Sequence, residues 1–438
     1  MPVPSSYFPR WTLRDKGVVG PDERLPTGQT IALGVQHVVA MFGATVLAPL
    51  IMGFDPNVAI FFSGIGTLIF FASVGGRVPS YLGSSFSFIA VVIAATAYAG
   101  SGPNANIGLA LGGIVAAGAV YALIGLVVMK VGYAWIEALM PPVVTGAVVA
   151  VIGLNLAPIA VKGISGSTFD TWIGIATIVA VGLVAVRAPG LLRRLPILVG
   201  AIAGYLLYAL LANGMGLGKP IDFIAVAAAP WLGMPRFVAP QWSAQAIALI
   251  APVAIVLVAE NLGHVKAVAA MTGESLDRYL GRAFLGDGIA TMLAGAGGGT
   301  GVTTYAENIG VMAVTKIYST LVFVVAAITA IVLGFSPKFG ALIATIPGPV
   351  LGGLAIVVFG LITATGARIW VVNNVDFGRA RNLVTAAATL TIGAGDLALR
   401  IGGFTLGGIG TATFGAIILY QLFRDDETEA ASEQASAH

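Results

Sequence analysis

The chain has 438 residues, of which 58% are hydrophobic and only 9% charged, and its mean hydropathy is +0.96. Soluble domains carry about 25% charged residues, so this composition excludes a water-covered globular surface, and the absence of cysteine excludes disulfides and thiolate metal sites. The net charge of +3 says little about partners, because in such a chain the placement of charges matters more than their sum.

Residues 1–27 form a polar N-terminal segment containing Arg10, Arg14, Lys16, Asp22, Glu23 and Arg24, unlike an apolar, cleavable signal peptide. Apolar segments then repeat, each near the roughly 17–25 residues needed to cross a hydrocarbon core about 30 Å thick. Only helices and closed barrels satisfy their backbone in lipid. These segments are too long and too continuously apolar for barrel strands, so the chain reads as an all-α polytopic membrane protein. Spans are expected at 28–50, 57–75, 84–99, 106–130, 137–157, 171–187, 196–215, 244–264, 281–297, 300–315, 317–335, 347–366, 382–397 and 404–423. That makes fourteen, of which the third and tenth are short. A polar loop, 216–243, joins a first half, 28–215, to a second half, 244–424, and the acidic tail 425–438 is expected to be disordered.

An even number of spans puts both termini on one side. If that side is the cytoplasm, 17 of the 22 Lys and Arg residues are cytoplasmic, and only Lys162, Lys219, Arg236, Lys338 and Arg400 lie opposite. Cytoplasmic loops carry an excess of Lys and Arg, so the asymmetry supports both the count and the orientation.

The two halves also resemble each other. PVVTGAVVAVIG (142–153) matches PVLGGLAIVVFG (349–360) at the opening Pro-Val, at Gly146 with Gly353 and at Gly153 with Gly360. These stretches lie in the fifth and twelfth spans, and the short spans are also seven apart. Seven is odd, so the halves insert with opposite orientation. Paired, interrupted segments at matching places in inverted halves point to a transporter's binding site.

The first interrupted segment reads YLGSSFSFIAVV (81–92) and the second GAGGGTGVTTYAENIGVMAV (295–314). Each has glycine, two hydroxyl residues (Ser84-Ser85; Thr303-Thr304) and an aromatic (Phe86; Tyr305). Glycine weakens a helix by about 1 kcal/mol relative to alanine, and β-branched and aromatic residues favour extended backbone. A short extended piece is therefore expected in each, followed by a half-helix beginning near Ser87 and near Ala306. Such helix starts offer free N–H groups and partial positive charge to a polar ligand. Glycine for tight helix packing is the plainer reading of 295–301, but it leaves the matching first-half segment unexplained.

Glu260 and His264 are four residues apart and share one face of the eighth span, while Glu307 opens the second half-helix. Intramembrane ionisable groups are costly and mark substrate or ion paths. Burial and a like charge nearby both work against the charged form of a carboxylate, so such a group exchanges protons at physiological pH. Gln36 and His37, in the first span, line or brace this site, and Asp287 and Asp396, near span ends, take solvated or bracing roles. No arrangement of His and carboxylates suggests a metal site, and no Ser/His/Asp order suggests hydrolysis, so neither an enzyme nor a cofactor other than a coupling proton is expected.

At these residues the sequence resembles the nucleobase–ascorbate (nucleobase–cation symporter-2) transporters, from QHVVAMFGATVLAP (36–49) to LGGIGTATFGAI (406–417). The family signature reads as Glu307-Asn308-Ile309-Gly310 through Thr315-Lys316, and VAENLGH and YLGSSF add to it. Within the family the nearest resemblance is to bacterial uracil permeases. It implies a seven-plus-seven inverted repeat, with a core domain of the first four spans of each half and a gate domain of the last three. It implies proton-coupled import of uracil or a related pyrimidine across a bacterial inner membrane, with both termini cytoplasmic and a homodimer formed through gate helices. Carried over by motif, Glu260 and Glu307 would bind the base's N–H groups. The backbones of Phe86 and Ala306 would meet its carbonyls and ring, and His264 would complete the proton relay. Ala44, Ser85 and Phe359 would line the pocket, and Gln36, His37, Asn308 and Tyr305 would support it. Ala306 and Phe359 depart from the Gly and Tyr frequent in uracil permeases, which leaves a xanthine or purine symporter as the alternative. An anion exchanger of the same architecture is disfavoured by two carboxylates with no mid-span Arg or Lys to offset them.

Overall fold

The structure is a computed structural model that describes residues 6–14, 17–100, 102–190, 192–401 and 404–423. The tail expected at 425–438 lies outside the described residues, as do Lys16 and Arg424.

A polar strap comes first, in which β1 (Thr12–Leu13) and β2 (Glu23–Arg24) pair in parallel. The first half then runs through α1 (Thr27–Ala40), α2 (Phe42–Met52) and α3 (Pro56–Ser73). Strand β3 (Leu82–Ser84) leads through a 3-10 turn (Phe86–Phe88) into α4 (Ile89–Thr96). Helices α5 (Ile107–Val131), α6 (Ala134–Leu139), α7 (Pro142–Ile164), α8 (Thr168–Arg187) and α9 (Pro196–Ala209) complete it. The connecting loop holds α10 (Ile224–Ala228). The second half repeats the order with α11 (Ala244–Ile250), α12 (Val253–Thr272), α13 (Leu280–Gly297), β4 (Val302–Thr304) and α14 (Ala306–Thr315). It continues with α15 (Thr320–Gly334), α16 (Pro337–Ala344), α17 (Gly348–Val372) and α18 (Ala380–Ala394), then the hairpin β5 (Leu399–Ile401) and β6 (Phe404–Leu406), and α19 (Gly408–Leu422).

Packing partners exchange between the halves as an inverted repeat requires. Helix α5 packs on α13 as α15 packs on α3, α7 on α18 as α17 on α8, and α8 on α9 as α18 on α19. The pairs α3–α13 and α7–α17 are each their own counterpart. Two bodies result, one of α1–α5 with α11–α15 and one of α7–α9 with α17–α19. They meet where α2 touches α17 and α9 and where, in mirror fashion, α12 touches α7 and α19. Glycine lets the paired helices approach closely, as is common where lipid removes the hydrophobic drive. A Cβ at Gly118 of α5 would lie 2.7 Å from the Gly288 oxygen of α13.

Among the described residues, eight helical stretches, with α1–α2 and α11–α12 each taken as one, are long and apolar enough to cross a membrane, or nine with the bent pair α15–α16 as one span. The other expected spans coincide with the two strand–half-helix segments and with α13, α18 and α19, so each of the fourteen has a counterpart. The ends differ where proline decides. Pro141-Pro142 splits the expected fifth span, leaving α6 apart and starting α7 at a proline, whose missing N–H costs nothing there. Pro252 breaks the eighth span between α11 and α12, and Ser336-Pro337 bends α15 from α16 by 82°. Helix α12 also continues to Thr272, so Lys266 lies within it rather than marking its end. Its ammonium is held by Glu137 (3.2 Å) and Asp277 (2.8 Å), which lets the helix run on past the charge.

Candidate functional site

The site is organised by β3 and β4, which cross antiparallel in the middle of the core body. Leu82 lies opposite Thr304, Gly83 opposite Thr303 and Ser84 opposite Val302, and all six residues are buried. A two-stranded sheet has two unpaired edges, which lipid cannot satisfy. Protein closes both. The Leu82 N–H donates to Thr67 Oγ1 on α3 (2.9 Å), and the Val302 N–H donates to Thr291 Oγ1 on α13 (3.3 Å), whose hydroxyl donates to Val302 O (2.9 Å). The strand ends are tied too: Ser85 N–H donates to Gly301 O (2.9 Å), Tyr305 N–H to Tyr81 O (3.2 Å) and Tyr305 Oη–H to Ser84 O (2.6 Å).

Each strand delivers the start of a half-helix to the same place. Helix α14 starts at Ala306, as expected, and its N-cap Tyr305 makes no side-chain cap bond. The first backbone N–H groups of α14 are thus free of a capping side chain. In the first half the Ser85 hydroxyl accepts from Ser87 N–H (3.3 Å), so a 3-10 turn begins at Phe86 and α-helical geometry only at Ile89. This half-helix starts one residue earlier than the sequence implies, because the serine cap turns the chain before it.

Helix α12 lies across both starts, packed against β4, α14 and the 3-10 turn, and carries Glu260 and His264. The His264 Nδ1 is 2.9 Å from Thr304 Oγ1 on β4. The Glu260 Oε2 is a buried atom with no hydrogen-bond partner among the described residues, and Glu307 occupies the first turn of the facing half-helix. Among the described residues the ion pairs are Arg14–Glu23, Lys266–Glu137, Lys266–Asp277 and Arg379–Asp376, so neither site carboxylate is neutralised by a cation.

The remaining expected residues gather around this centre. Phe86 (8% exposed) and Phe359 (1%) meet edge to face, ring centres 5.8 Å apart, across the boundary between the two bodies. Ala44 and Ser85 are buried, and Ala306 is exposed. Asn308 Nδ2–H donates to His37 Nδ1 (2.8 Å), and the imidazole of His37 lies 4.7 Å from Phe323. His37 is therefore attached to the second half-helix from α1, behind the carboxylates. Gln36 is half-buried with its amide nitrogen unpartnered.

Behind Glu260 lies a group whose burial the sequence did not reveal. Asp287 on α13 is fully buried. Asn261 Nδ2–H donates to Asp287 Oδ2 (2.6 Å) and to Tyr121 Oη (2.8 Å) on α5. It faces protein, not water. Asp396 is exposed, yet it accepts from Asn155 Nδ2–H (3.0 Å) and Gly408 N–H (3.2 Å) and so fastens α7 to the start of α19. Thr67 and Thr291 were not singled out, and Thr304 entered only as one of the paired hydroxyl residues of the second interrupted segment. A signal for the first two was present: GIGT (64–67) and GIAT (288–291) occupy matching places in the two halves.

Both half-helices reach accessible surface. Along α14 the residues Ala306, Gly310 and Val314, one helical turn apart, form an exposed stripe leading from Glu307 toward Lys316. Along α4 the residues Ala90, Val91 and Ala94 instead face a separate cavity of about 300 Å³, whose other walls include Gln245, Asp396 and Arg400.

This architecture has known relatives. Residues 28–402 match the model of the Xan_ur_permease group, described as "Permease family". The chain belongs to this permease family. It is 65% identical over 95% of its length to "Putative pyrimidine permease RutG" of Escherichia coli (strain K12), of which the match covers 95%. It is 42% identical to the uracil permease of Bacillus caldolyticus, over 88% of this chain and 90% of that one. In fold it is similar to the transmembrane domain of the cyanobacterial bicarbonate transporter BicA (TM-score 0.59, 18% identity, covering 90% of this chain and 97% of that one). It is likewise similar to SLC26A9 (TM-score 0.64, 13% identity, covering 90% and 66%). The last two likenesses show a shared membrane-transporter fold, with which the fourteen-span reading is consistent, and nothing about the substrate of this multi-pass membrane protein.

Proposed function

We propose that this permease imports uracil, or a close pyrimidine relative, together with a proton across a bacterial inner membrane, with both termini cytoplasmic. The observation that carries the reading is the unpartnered, buried Glu260 Oε2 beside the start of a half-helix that brings Glu307. Two carboxylates accept hydrogen bonds and two half-helix starts donate them. Uracil alternates N–H donors with carbonyl acceptors and is flat and neutral, so it fits both sets. An anion would meet two uncompensated carboxylates. The relatives named as pyrimidine and uracil permeases support the same reading. Glu260, His264 and Glu307 carry the coupled proton, and a proton moving down 100 mV supplies about 2.3 kcal/mol, on the order of fortyfold accumulation. The same reading includes a homodimer formed through the gate body.

The test is radiolabelled uracil uptake into proteoliposomes, with thymine, xanthine and ascorbate as competitors. Uptake should rise with an inward proton gradient, collapse with an uncoupler and be displaced first by pyrimidines. Uptake indifferent to both treatments removes proton coupling, and displacement by xanthine alone moves the substrate to purines.

Transport also needs the gate and core bodies to move against one another. The short helix α6 links them: Gln421 Nε2–H donates to Ala138 O (2.8 Å) from the gate side, and Glu137 pairs with Lys266 (3.2 Å) on the core side. Exposed ion pairs contribute about 0.2–1 kcal/mol, enough to bias a two-state equilibrium up to about fivefold. The chain has no native cysteine, so a Gly310→Cys variant reports access to the stripe along α14. Adding Glu137→Lys should slow its thiol labelling by up to about fivefold, and high salt, which screens exposed charges, should narrow the difference. Labelling unchanged by Glu137→Lys would show that this pair holds nothing.

A further inference from the structure

We infer that Thr304 is a positioning residue for His264: its hydroxyl sets the imidazole tautomer and follows the ring through protonation. This rests on His264 being part of the proton relay proposed above. Thr304 is 1% exposed and sits in a strand, where its hydroxyl cannot turn back onto the carbonyl one helical turn earlier, as Thr67 does to Ser63 O (2.8 Å). The one hydrogen-bond partner of that hydroxyl among the described residues is His264 Nδ1, at 2.9 Å. A hydroxyl carries one proton, and a buried donor left without an acceptor is costly. Facing neutral imidazole, the arrangement that satisfies both groups has Thr304 donating and Nδ1 accepting, which puts the ring proton on Nε2. When His264 takes a second proton, Nδ1–H must donate to the hydroxyl oxygen, and the hydroxyl's own proton then loses its acceptor. The oxygen partners Nδ1 in both states but favours the neutral ring, and an aliphatic side chain of the same shape partners neither.

The strand makes this partnership rigid. Thr304 pairs with Leu82 across the crossing, and Thr291 and Thr67 fasten the two outer edges. His264 projects from a helix but takes its orientation from the crossing, so the imidazole stays in register with the half-helix that carries Glu307, three residues beyond Thr304. The other titratable groups on the elements around it are Glu260 and Lys266 on α12 itself, Glu307 on α14 with Tyr305 at its cap, and Asp287 and Arg282 on α13. Tyr121 and Lys130 lie on α5, and α7 and α19 bring only Lys162 and Tyr420, in their last turns.

The experiment pairs a spectroscopic reading with transport. Protein labelled with 15N-histidine, with the His264 signal assigned through His264→Gln, should show His264 as the Nε2–H tautomer. Thr304→Val should mix the tautomers, and Thr304→Ser should restore the single one. In proteoliposomes Thr304→Val should lower proton-driven uracil uptake about tenfold, the worth of one hydrogen bond, and shift its pH profile. Thr304→Ser should recover both, and in a His264→Gln background Thr304→Val should add no further loss. An Nδ1–H tautomer in the unmodified protein, a serine variant as impaired as valine, or losses that multiply in the double variant would each overturn the inference. A clean tautomer result with uptake indifferent to protons everywhere would leave Thr304 positioning His264 and would refute proton coupling instead.

Discussion

Replacing Glu307 with alanine is expected to weaken uracil binding by about one to two orders of magnitude while leaving the folded protein as stable as before. The two halves of that expectation have one cause. Glu307 sits at the start of α14, and neither it nor Glu260 pairs with a cation among the described residues. A carboxylate that no cation of the fold neutralises contributes little to stability and is available to a ligand. A hydrogen bond to a charged group is worth about 1.5–3 kcal/mol, so its loss weakens binding about 10–150-fold. Glu307→Gln keeps the shape and one acceptor and should fall between wild type and alanine. Isothermal titration with uracil, beside thermal unfolding of the same samples, checks both halves. Preserved affinity in Glu307→Ala removes the residue from the site. A large drop in unfolding temperature would show that it is a structural group instead.

Much of this arrangement was legible in the residues, for reasons that can be named. The apolar runs located the spans because a hydrocarbon core of fixed thickness requires them to be long and nearly free of charge. The glycine and hydroxyl residues of 81–85 and 295–304 located the strands because they disfavour helix where helix would otherwise continue. What escaped was of two kinds. Proline breaks inside long apolar runs, such as Pro252, leave hydropathy unchanged and so pass unnoticed. Contacts that join distant elements leave no local pattern: His264 and Thr304 are forty residues apart, and Asn261 and Asp287 twenty-six. Asp287 reads as a span-end acid only until α5 and α12 are seen to close over it. The paired threonines differ, since GIGT and GIAT were visible as a repeat. Their meaning depends on knowing that a buried two-stranded sheet has outer edges to satisfy.

That same crossing leads to a second large effect, at a glycine rather than an acid. Gly83 lies opposite Thr303, and a Cβ placed on it would come within 2.6–2.8 Å of the Tyr305 ring. The backbone there is not in the left-handed region, so alanine meets no conformational penalty and the objection is steric alone. The ring cannot give way cheaply, because its hydroxyl donates to Ser84 O at 2.6 Å and Tyr305 is 3% exposed. Tyr305 is also the N-cap of α14. Moving its ring disturbs the residue from which the half-helix begins, next to Ala306 and Glu307. Overpacking a tight interior costs about 1–3 kcal/mol, and stranding the Ser84 carbonyl adds about 1–3 kcal/mol. Gly83→Ala should therefore lower the unfolding temperature and eliminate measurable uracil uptake. Gly310→Ala, whose Cβ would meet nothing within 4 Å, should unfold no earlier than wild type. Adding Tyr305→Leu to Gly83→Ala removes the obstructing ring and should recover part of the lost stability without recovering transport, because the tie to Ser84 stays broken. Equal unfolding temperatures for Gly83→Ala and wild type would mean that the ring yields, and the crossing would then be a looser joint than its hydrogen bonds require.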